Sequence, residues 1–413
     1  MAAEGFRRSR RRLLILLAAL VVPESAFAQH AFPPLPRPVA GDENPVTFMR
    51  PHYQIHWAAT AAEAGPPSTA LTPSQVRHAY GFDQVSDQGV GQIIGIVDAY
   101  DDPNAEADLG VFDARFGLPA CTSANGCFRK VYSNGQRPAA NSNWAVEIAL
   151  DIEWAHSIAP RATILLVETP TNSLANLLAG VETAVSNGAS AVSMSWTVGE
   201  FSTENSYDNY FVASGVTFLA AAGDDGTGAS YPAASPDVIG VGGTSLHLTQ
   251  NGNYQSETAW SGSGGGLSKF EHEPLFQARF PIPDDGKGYR ERGTPDVSFN
   301  ADPGTGVAVY DSVSVGGSAG WFQVGGTSAG TPQWAALIAI VNAMRASARK
   351  ANLWSANTNL YGIAKWPGGV FNTVTTDTSG TCVTQCLNRA SYNYIAGLGT
   401  PEAPALIEAL AAR

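Results

Sequence analysis

Ser328 lies in the sequence Gly-Thr-Ser-Ala-Gly, immediately before a long apolar run. This context predicts a hydroxyl nucleophile at the start of a buried helix, because the flanking glycines let a substrate backbone approach closely. The upstream sequence has no histidine-containing motif that would supply the usual general base. A nucleophilic Ser328 therefore needs a base of another type.

Two carboxylates upstream could supply that base. Glu147 and Asp151 are spaced i, i+4, so on a helix both lie on one face, one turn apart. Two close carboxylates do not both ionise easily, so the pKa of one is raised. A carboxylate base also stays partly ionised in acid, where histidine is fully protonated. A solvated helix face is the alternative interpretation, and the apolar neighbours Trp144 and Ile148 argue against it.

The first 28 residues have the pattern of an export signal. Basic residues 7–12 precede the apolar run Leu13 to Val22, and Ala26-Phe27-Ala28 resembles a cleavage site. Ten apolar residues are too few to cross a bilayer, which takes about 20. We therefore expect a cleavable signal peptide, with some resemblance to the twin-arginine type, and a secreted protein, extracellular or periplasmic.

The net charge excludes several classes of partner. The whole chain has a formal charge of −12, and removal of five arginines and two glutamates with residues 1–28 leaves 19 basic and 34 acidic residues, or −15. Such a protein suits neither nucleic acid nor an anionic membrane. We expect protein or peptide substrates and a monomer. The acidic balance fits either solubility or tolerance of low pH, and charge alone does not distinguish them.

The four cysteines form two close pairs, Cys121/Cys127 and Cys382/Cys386. In an exported protein both pairs predict short disulfide loops. A zinc site is the alternative, but no histidine lies near either pair in the sequence.

The sequence predicts three regions: the signal peptide 1–28, an N-terminal extension or short pro-segment 29–70, and a peptidase domain 71–413. The extension is rich in proline and lacks periodicity. Beyond it, apolar runs alternate with helical segments, which predicts an α/β fold with a parallel sheet covered by helices on both faces. The apolar runs are 92–97, 162–167, 189–194 and 216–222, and the helical segments include 104–116 and 173–185.

A series of motifs occurs in a specific order along the chain. These motifs are Thr72 to Phe82, Glu147-x3-Asp151, Ile158-Ala159-Pro160, Gly223-Asp224-Asp225-Gly226, Tyr231 to Pro236, Gly264-Gly265-Gly266, Thr294 to Ser298 and Gly326-Thr327-Ser328-Ala329. Together they resemble the sedolisins, the serine-carboxyl peptidases that are acid relatives of the subtilisins. The resemblance covers about Leu71 to Leu406 and depends on the order and spacing of the motifs more than on any one of them.

The resemblance implies a subtilisin-like fold and a role for each candidate residue. Ser328 would be the nucleophile that forms an acyl-enzyme, Glu147 its general base and Asp151 the partner of Glu147. Asp224 would donate a hydrogen bond to the developing oxyanion, a role that requires a protonated carboxyl. Asp225 is the alternative for that role.

Other residues have less specific interpretations. Asp98, at the end of the first strand, could be the aspartate of a neutral subtilisin-type triad, but a cap of the following turn is the preferred interpretation. His156 lies on a different helical face from Asp151, and we expect it to be structural. Residues 193–196 could form the edge strand that pairs with substrate, or ordinary core. A catalytically silent peptide-binding relative is the alternative function.

The chain departs from the sedolisin pattern where that family binds calcium. Thr373 and Asn393 stand where the resemblance would place two aspartates. Because calcium prefers several charged oxygen ligands, the sequence predicts that this site is lost and that the protein uses no cofactor.

Overall fold

The predicted apolar runs become the inner strands of one large sheet. The structure is a computed structural model, and it describes residue 1 and residues 47–58, 65–226, 228–280, 282–283, 290–365, 369–375 and 392–413. The described residues from 47 onward all belong to one compact unit. Its strands are β1 (Arg50–Pro51), β2 (Gln54–Ala58), β3 (Ile93–Ala99), β4 (Phe128–Tyr132), β5 (Thr163–Thr169), β6 (Ala191–Met194), β7 (Trp196–Gly199), β8 (Thr217–Ala221), β9 (Ser230–Tyr231), β10 (Val238–Leu248), β11 (Tyr254–Ala259), β12 (Gly266–His272), β13 (Glu291–Thr294), β14 (Val297–Asn300), β15 (Val307–Val315), β16 (Ser318–Gly325), β17 (Phe371–Asn372), β18 (Val374–Thr375) and β19 (Thr400–Pro401).

The large sheet has the order β18-β11-β10-β8-β6-β3-β5-β4, and β14 also pairs with β10. Its pairs from β4 to β10 are parallel, while β11 is antiparallel to β10. The prediction of an α/β fold with a parallel sheet is confirmed, with one antiparallel strand added. Because parallel strands end at the same edge, the residues that follow β3, β6 and β8 lie near one another.

The helices cover the sheet, and two of them are buried along nearly their whole length. The helices are α1 (Pro73–Tyr80), α2 (Ala105–Phe116), α3 (Ser142–Ile158), α4 (Leu174–Ser186), α5 (Leu275–Ala278), α6 (Thr327–Ser347), α7 (Ala356–Ala364) and α8 (Ala403–Ala412). The buried pair is α3 and α6, which pack on each other and are covered by the rest of the domain on almost every side. No described helix is long and apolar enough to span a bilayer.

The described part of the predicted extension is built into the domain. Strand β1 pairs with β7, and β2 forms the third strand of a small sheet with β15 and β16. Cys121 and Cys127 form the predicted disulfide. Cys382, Cys386 and the signal peptide beyond its first residue lie outside the described residues, so those expectations stay predictions.

Candidate active site

The two buried helices bring the predicted nucleophile and carboxylates together. Helix α6 begins at Thr327, so Ser328 lies in its first turn. Helix α3 begins after Asn141, whose side chain accepts hydrogen bonds from the backbone N–H groups of Asn143 and Trp144. Glu147 and Asp151 then follow on the face of α3 that is packed inside the domain, and both side chains are fully buried.

Glu147 lies in a dry, negatively charged environment. Neither of its carboxylate oxygens has a hydrogen-bond partner among the described residues. Burial raises its pKa well above the ordinary value, and the charges of Asp151 and Asp98 raise it further, whereas the nearby Ser328 hydroxyl lowers it. Asp151 also has a raised pKa, first through burial, and its Oδ1 accepts a hydrogen bond of 2.8 Å from the Ser195 hydroxyl. These groups can hold and exchange protons instead of remaining fixed charges.

Asp98 belongs to the same group of carboxyls, and its predicted capping role is wrong. It is the penultimate residue of β3 and is fully buried, and neither of its oxygens bonds a partner among the described residues. Burial raises its pKa to about 8, and its charge raises the pKa of both Glu147 and Asp151. We call Asp98, Glu147 and Asp151 the carboxyl triad.

Asp224 is anchored by Thr327, the residue that precedes Ser328. Its Oδ1 accepts two hydrogen bonds of 2.8 Å, from the backbone N–H and the hydroxyl of Thr327. Its Oδ2 is buried without a partner among the described residues. Burial raises the pKa of Asp224 to about 7, so in acid it carries a proton. Because Oδ1 already accepts two hydrogen bonds, Oδ2 is the oxygen suited to hold that proton. Asp225 instead forms an exposed ion pair with Arg50.

A segment of the chain itself, residues 47–58, crosses Ser328. The backbone N–H of His52 donates to the Ser328 Oγ over 3.2 Å, and the backbone N–H of Ser328 donates to the His52 carbonyl oxygen over 3.1 Å. The Ser328 hydroxyl donates to the Ser195 carbonyl over 3.3 Å. The ring of His52 is bonded to the Thr197 hydroxyl, so it does not act on Ser328 as a general base.

The His52 carbonyl lies where an oxyanion would form. A Cβ added to Gly326 would be 2.2 Å from the His52 oxygen and 2.6 Å from Asp224 Oδ2, so a glycine is required where these atoms meet. Gly326 also has a φ of 112°, which a side chain would strain. The carbonyl therefore faces the Ser328 N–H at a helix N-terminus and the side chain of Asp224, two groups that stabilise negative charge.

The predicted segment 193–196 is divided between two strands, so its first residues are core and its last residue, Trp196, is in a strand that pairs with β1. Residues 191–194 form β6, an inner strand of the large sheet, while Trp196 begins β7. Strand β7 pairs antiparallel with β1, with Arg50 opposite Thr197 and Pro51 opposite Trp196. The sequence analysis missed segment 47–58 because nothing local in it indicates a strand, beyond an Arg-Pro dipeptide that favours extended backbone.

This arrangement of a serine at a helix N-terminus and a parallel sheet has known relatives. A model of the subtilase family matches residues 139–366, slightly more than half of the chain. The chain belongs to the subtilase family. The predicted subtilisin-like fold is thereby confirmed.

Named relatives place this subtilase with the sedolisins, as the sequence motifs indicated. It is 34% identical to kumamolisin of Bacillus sp. (strain MN-32) over 342 residues, 73% of this chain and 58% of kumamolisin. It is 33% identical to sedolisin of Pseudomonas sp. (strain 101) over 174 residues, 36% of this chain and 26% of sedolisin. The matches thus span less than two thirds of these curated relatives.

A solved structure shows the same fold. It is Pseudomonas sedolisin, described as a serine-carboxyl proteinase complexed with two molecules of pseudo-iodotyrostatin. The TM-score is 0.69 at 23% identity, with 82% of this chain and 97% of that chain covered.

The two described residues at the predicted calcium position, Thr373 and Asn393, supply no carboxylate. The Oδ1 of Asn393 accepts hydrogen bonds from the backbone N–H groups of Ile395 and Ala396, which leaves that oxygen engaged in a turn. Thr373 is exposed and contributes no carboxylate. The absence of a cofactor stays a prediction.

Two other groups of ligand-type side chains are found among the described residues of this subtilase. Cys121, Cys127 and His156 lie close together, but the two sulfurs are joined in the disulfide and the His156 ring is bonded to the Pro119 carbonyl. The second group is Asp102, Asp108 and Asp311, whose oxygens lie within 4.8 Å of one another. Burial raises the pKa of Asp102 to about 7 and of Asp311 to about 8, so protons alone can neutralise this group in acid.

Proposed function

We propose that this chain is an exported serine-carboxyl endopeptidase that acts in acid. Ser328 is the nucleophile, Glu147 the general base, Asp151 the partner of Glu147 and Asp224 the oxyanion donor. The observation that carries the proposal is the His52–Tyr53 peptide bond, which lies across Ser328 with its carbonyl against the Ser328 N–H. A peptide carbonyl that is held by the N–H of the nucleophile's own residue supports attack by Ser328 at this bond.

The reaction follows from these contacts. The Ser328 oxygen attacks the carbonyl carbon as its proton passes to Glu147, and the negative oxygen is held by the Ser328 N–H and the Asp224 O–H. The carbon–nitrogen bond then breaks, and Glu147 returns the proton to the leaving amine. Water hydrolyses the resulting acyl-enzyme by the same steps, which frees the Ser328 hydroxyl.

The proton distribution favours acid. Asp224 has a pKa of about 7 and must be protonated to donate, so the activity is lost as pH rises through that value. The base, Glu147, must lose a proton while it interacts with other carboxyls. Burial raises the pKa of Glu147 and of Asp151. Burial raises the pKa of Tyr53, and the charge of the nearby Glu147 raises it further. Departure of the segment lets water in and lowers the pKa of Glu147, so the opened cleft is the active form.

The first substrate in this proposal is the chain itself. Cleavage of the His52–Tyr53 bond removes the block and leaves a mature chain that begins at Tyr53. His52 makes the docked segment sensitive to acid, because burial, helped by the charge of Arg50, lowers its pKa to about 4. Docking of His52 is therefore fully favoured above its ordinary pKa near 6.5 and weakens as pH falls towards 4.

Digestion of casein by the wild-type chain and by Ser328→Ala, from about pH 2.5 to 8, tests the function. We expect an acid optimum in the wild type and no hydrolysis by the variant. Sequencing of the N-terminus after incubation in acid should give Tyr53 in the wild type only. A neutral optimum would reject the carboxylate base. No hydrolysis at any pH, even after removal of residues 1–52, would favour the peptide-binding alternative.

A further inference from the structure

Three buried aspartates meet at a point that the proposed mechanism does not use. Asp102 follows β3, Asp108 lies in the first turn of α2, and Asp311 lies in β15. Each is at most 3% exposed, and each places one carboxylate oxygen within 4.8 Å of an oxygen of the other two. Three carboxylates at this spacing repel one another, so the arrangement requires a cation or protons. We call these residues the three-aspartate site.

Within the described part of the chain, no lysine or arginine forms an ion pair with the three-aspartate site. Lys130 reaches Asp102, but its Nζ donates to the backbone carbonyl over 2.6 Å. The charge of Lys130 is paired with Asp101 and Glu168, at 2.9 and 2.7 Å. The three carboxyls therefore face one another without a side-chain counter-charge.

Two of the carboxyls each keep one oxygen without a partner. The Oδ1 of Asp102 accepts a hydrogen bond of 2.9 Å from the backbone N–H of Asn104. The Oδ1 of Asp311 accepts one of 2.8 Å from the backbone N–H of Val313. The Oδ2 atoms of both aspartates are buried and have no hydrogen-bond partner among the described residues. Backbone bonds thus fix each carboxyl and leave its second oxygen available to a ligand, as in metal sites whose ligands are oriented by outer hydrogen bonds.

The third carboxyl lies next to an exposed residue. The Oδ2 of Asp108 accepts hydrogen bonds from the backbone N–H of Ser312 over 2.8 Å and from its hydroxyl over 3.0 Å. The Ser312 hydroxyl also accepts a bond of 2.8 Å from the Asn104 side chain, and Ser312 is exposed. An ion therefore has a short path from solvent to the three-aspartate site.

We propose that Asp102, Asp108 and Asp311 bind a divalent cation, and that Ca²⁺ is the ion that fits them. Calcium takes carboxylate oxygens at 2.3–2.6 Å in flexible geometry, so oxygens up to about 5 Å apart can share one ion. The ion joins β15 to α2 and to the loop after β3, and it takes no part in the reaction. It is separate from the calcium position at Thr373 and Asn393. Protons compete for the same oxygens in acid, so the ion binds best at neutral or higher pH.

Calcium titration of the full chain carrying Ser328→Ala tests the proposal. This variant avoids self-digestion, so the result does not depend on whether the chain is a protease. After treatment with EDTA and its removal, calorimetry at about pH 8 should give one Ca²⁺ per chain with a Kd of about 1 mM or tighter. Calcium at about 10 mM should raise the melting temperature by about 2 °C or more.

Two substitutions in this background identify the ligands. Asp311→Asn and Asp102→Asn should each weaken calcium binding at least tenfold. In EDTA both variants should melt no lower than their parent, because a like charge has been removed, whereas in calcium they should melt lower. Glu106→Gln is the matched control: it lies on α2 two residues from Asp108, but its carboxylate bonds Ser123. It should leave the calcium Kd within about twofold of the parent's.

The remaining outcomes would overturn the proposal. Absence of calcium binding up to about 10 mM would show that protons alone neutralise the three aspartates. Binding with an unchanged Kd in both asparagine variants would place the ion elsewhere on the chain. If Asp311→Asn does not fold in EDTA, the Kd of Asp102→Asn decides.

Discussion

Two buried aspartates at the end of one strand have opposite protonation behaviour. Asp98 and Asp101 are three residues apart and at most 1% exposed. Asp98 has no hydrogen-bond partner among the described residues, and its pKa rises to about 8. Asp101 is bonded to Lys130 and Arg137, and although burial opposes them, these bonds lower its pKa. We call Asp101, Lys130 and Arg137 the Asp101 ion cluster.

The difference teaches that two bonded cations outweigh burial at Asp101, whereas at Asp98 burial acts without an opposing cation. The Asp101 ion cluster joins the end of β3 to Lys130 in β4 and to Arg137, which follows β4. Within the described residues, no lysine or arginine bonds the carboxyl triad. An acid-base site needs carboxyls that change protonation near the working pH, and the triad meets that requirement.

The largest contrast is expected from removing one carboxylate in each region. Glu147→Gln removes the proposed base and should lower kcat/KM on casein peptides at acid pH by about 10²- to 10⁴-fold. Asp101→Asn is the matched control in the Asp101 ion cluster, and it should change kcat/KM by less than about threefold where the variant is folded. Equal losses in the two variants, measured after thermal melts, would remove the distinction between the regions.

Asp224→Asn should change the pH profile as well as the rate. The amide donates a hydrogen bond at every pH, but it is a weaker donor to an oxyanion, so we expect a loss of roughly 10- to 100-fold in acid. The wild type loses its donor as pH rises through about 7, whereas the variant does not titrate. The ratio of variant to wild-type kcat/KM should therefore increase above pH 7. A ratio that stays flat to pH 8.5 would contradict a protonated Asp224.

The stability of the two regions should depend on pH with opposite signs. The raised pKa of Asp98 means that its contribution is fully present below pH 4 and is lost as pH rises through about 8, at up to about 1.4 kcal/mol per pH unit. The lowered pKa of Asp101 means that its contribution is present above pH 4 and is lost in stronger acid.

Melting temperatures measured in the Ser328→Ala background, which avoids self-digestion, test this contrast. Asp98→Asn should reduce the fall in melting temperature as pH rises from 4 to 8. Asp101→Asn should reduce the fall in melting temperature as pH drops below 4. The same slope in both variants would show that the two aspartates titrate alike.

The smallest effect is expected at Ser195. Its hydroxyl bonds Asp151 over 2.8 Å and lowers the pKa of that carboxyl. Ser195→Ala should raise the pKa of Asp151 further and reduce kcat about three- to tenfold, with the acid limb of the pH profile shifted upward. Ser157→Ala is the control, because the Ser157 hydroxyl bonds only the Glu153 backbone within the described part of the chain. An unshifted acid limb would assign Ser195 a packing role.

Local patterns predicted much of this architecture. The run 92–97 lies almost entirely within β3, and the i, i+4 spacing of Glu147 and Asp151 does place both on one buried helix face. The short spacing of Cys121 and Cys127 also gave the correct disulfide. In each case the sequence signal and the structural partner lie within a few residues of one another.

Contacts between distant residues were not predictable in this way. His52 meets Ser328 across 276 positions of sequence. On either side of it, Arg50 pairs with Thr197 and Gln54 pairs with Gly325, so these partners also lie far away in sequence. Asp98 has a residue type and position typical of a turn cap, and only the packing of α3 against the sheet shows that its partners are carboxyls. The identity of a buried neighbour, and with it the protonation state, is a property of the tertiary fold.

Strand β2 pairs with β16 on the C-terminal side of the proposed cleavage point. This pairing determines what happens to residues 47–52, which cover Ser328, when the bond is cut. While the His52–Tyr53 bond is intact, residues 47–52 are tethered to their own binding groove, and a tethered ligand has an effective concentration of about millimolar or more. After cleavage the same residues are a separate peptide at the dilute concentration of the enzyme itself. The released peptide can make the same contacts, but the fraction of grooves that it occupies falls with dilution. A single hydrolysis thus converts a tethered segment that covers Ser328 into a separate peptide that competes weakly with substrate.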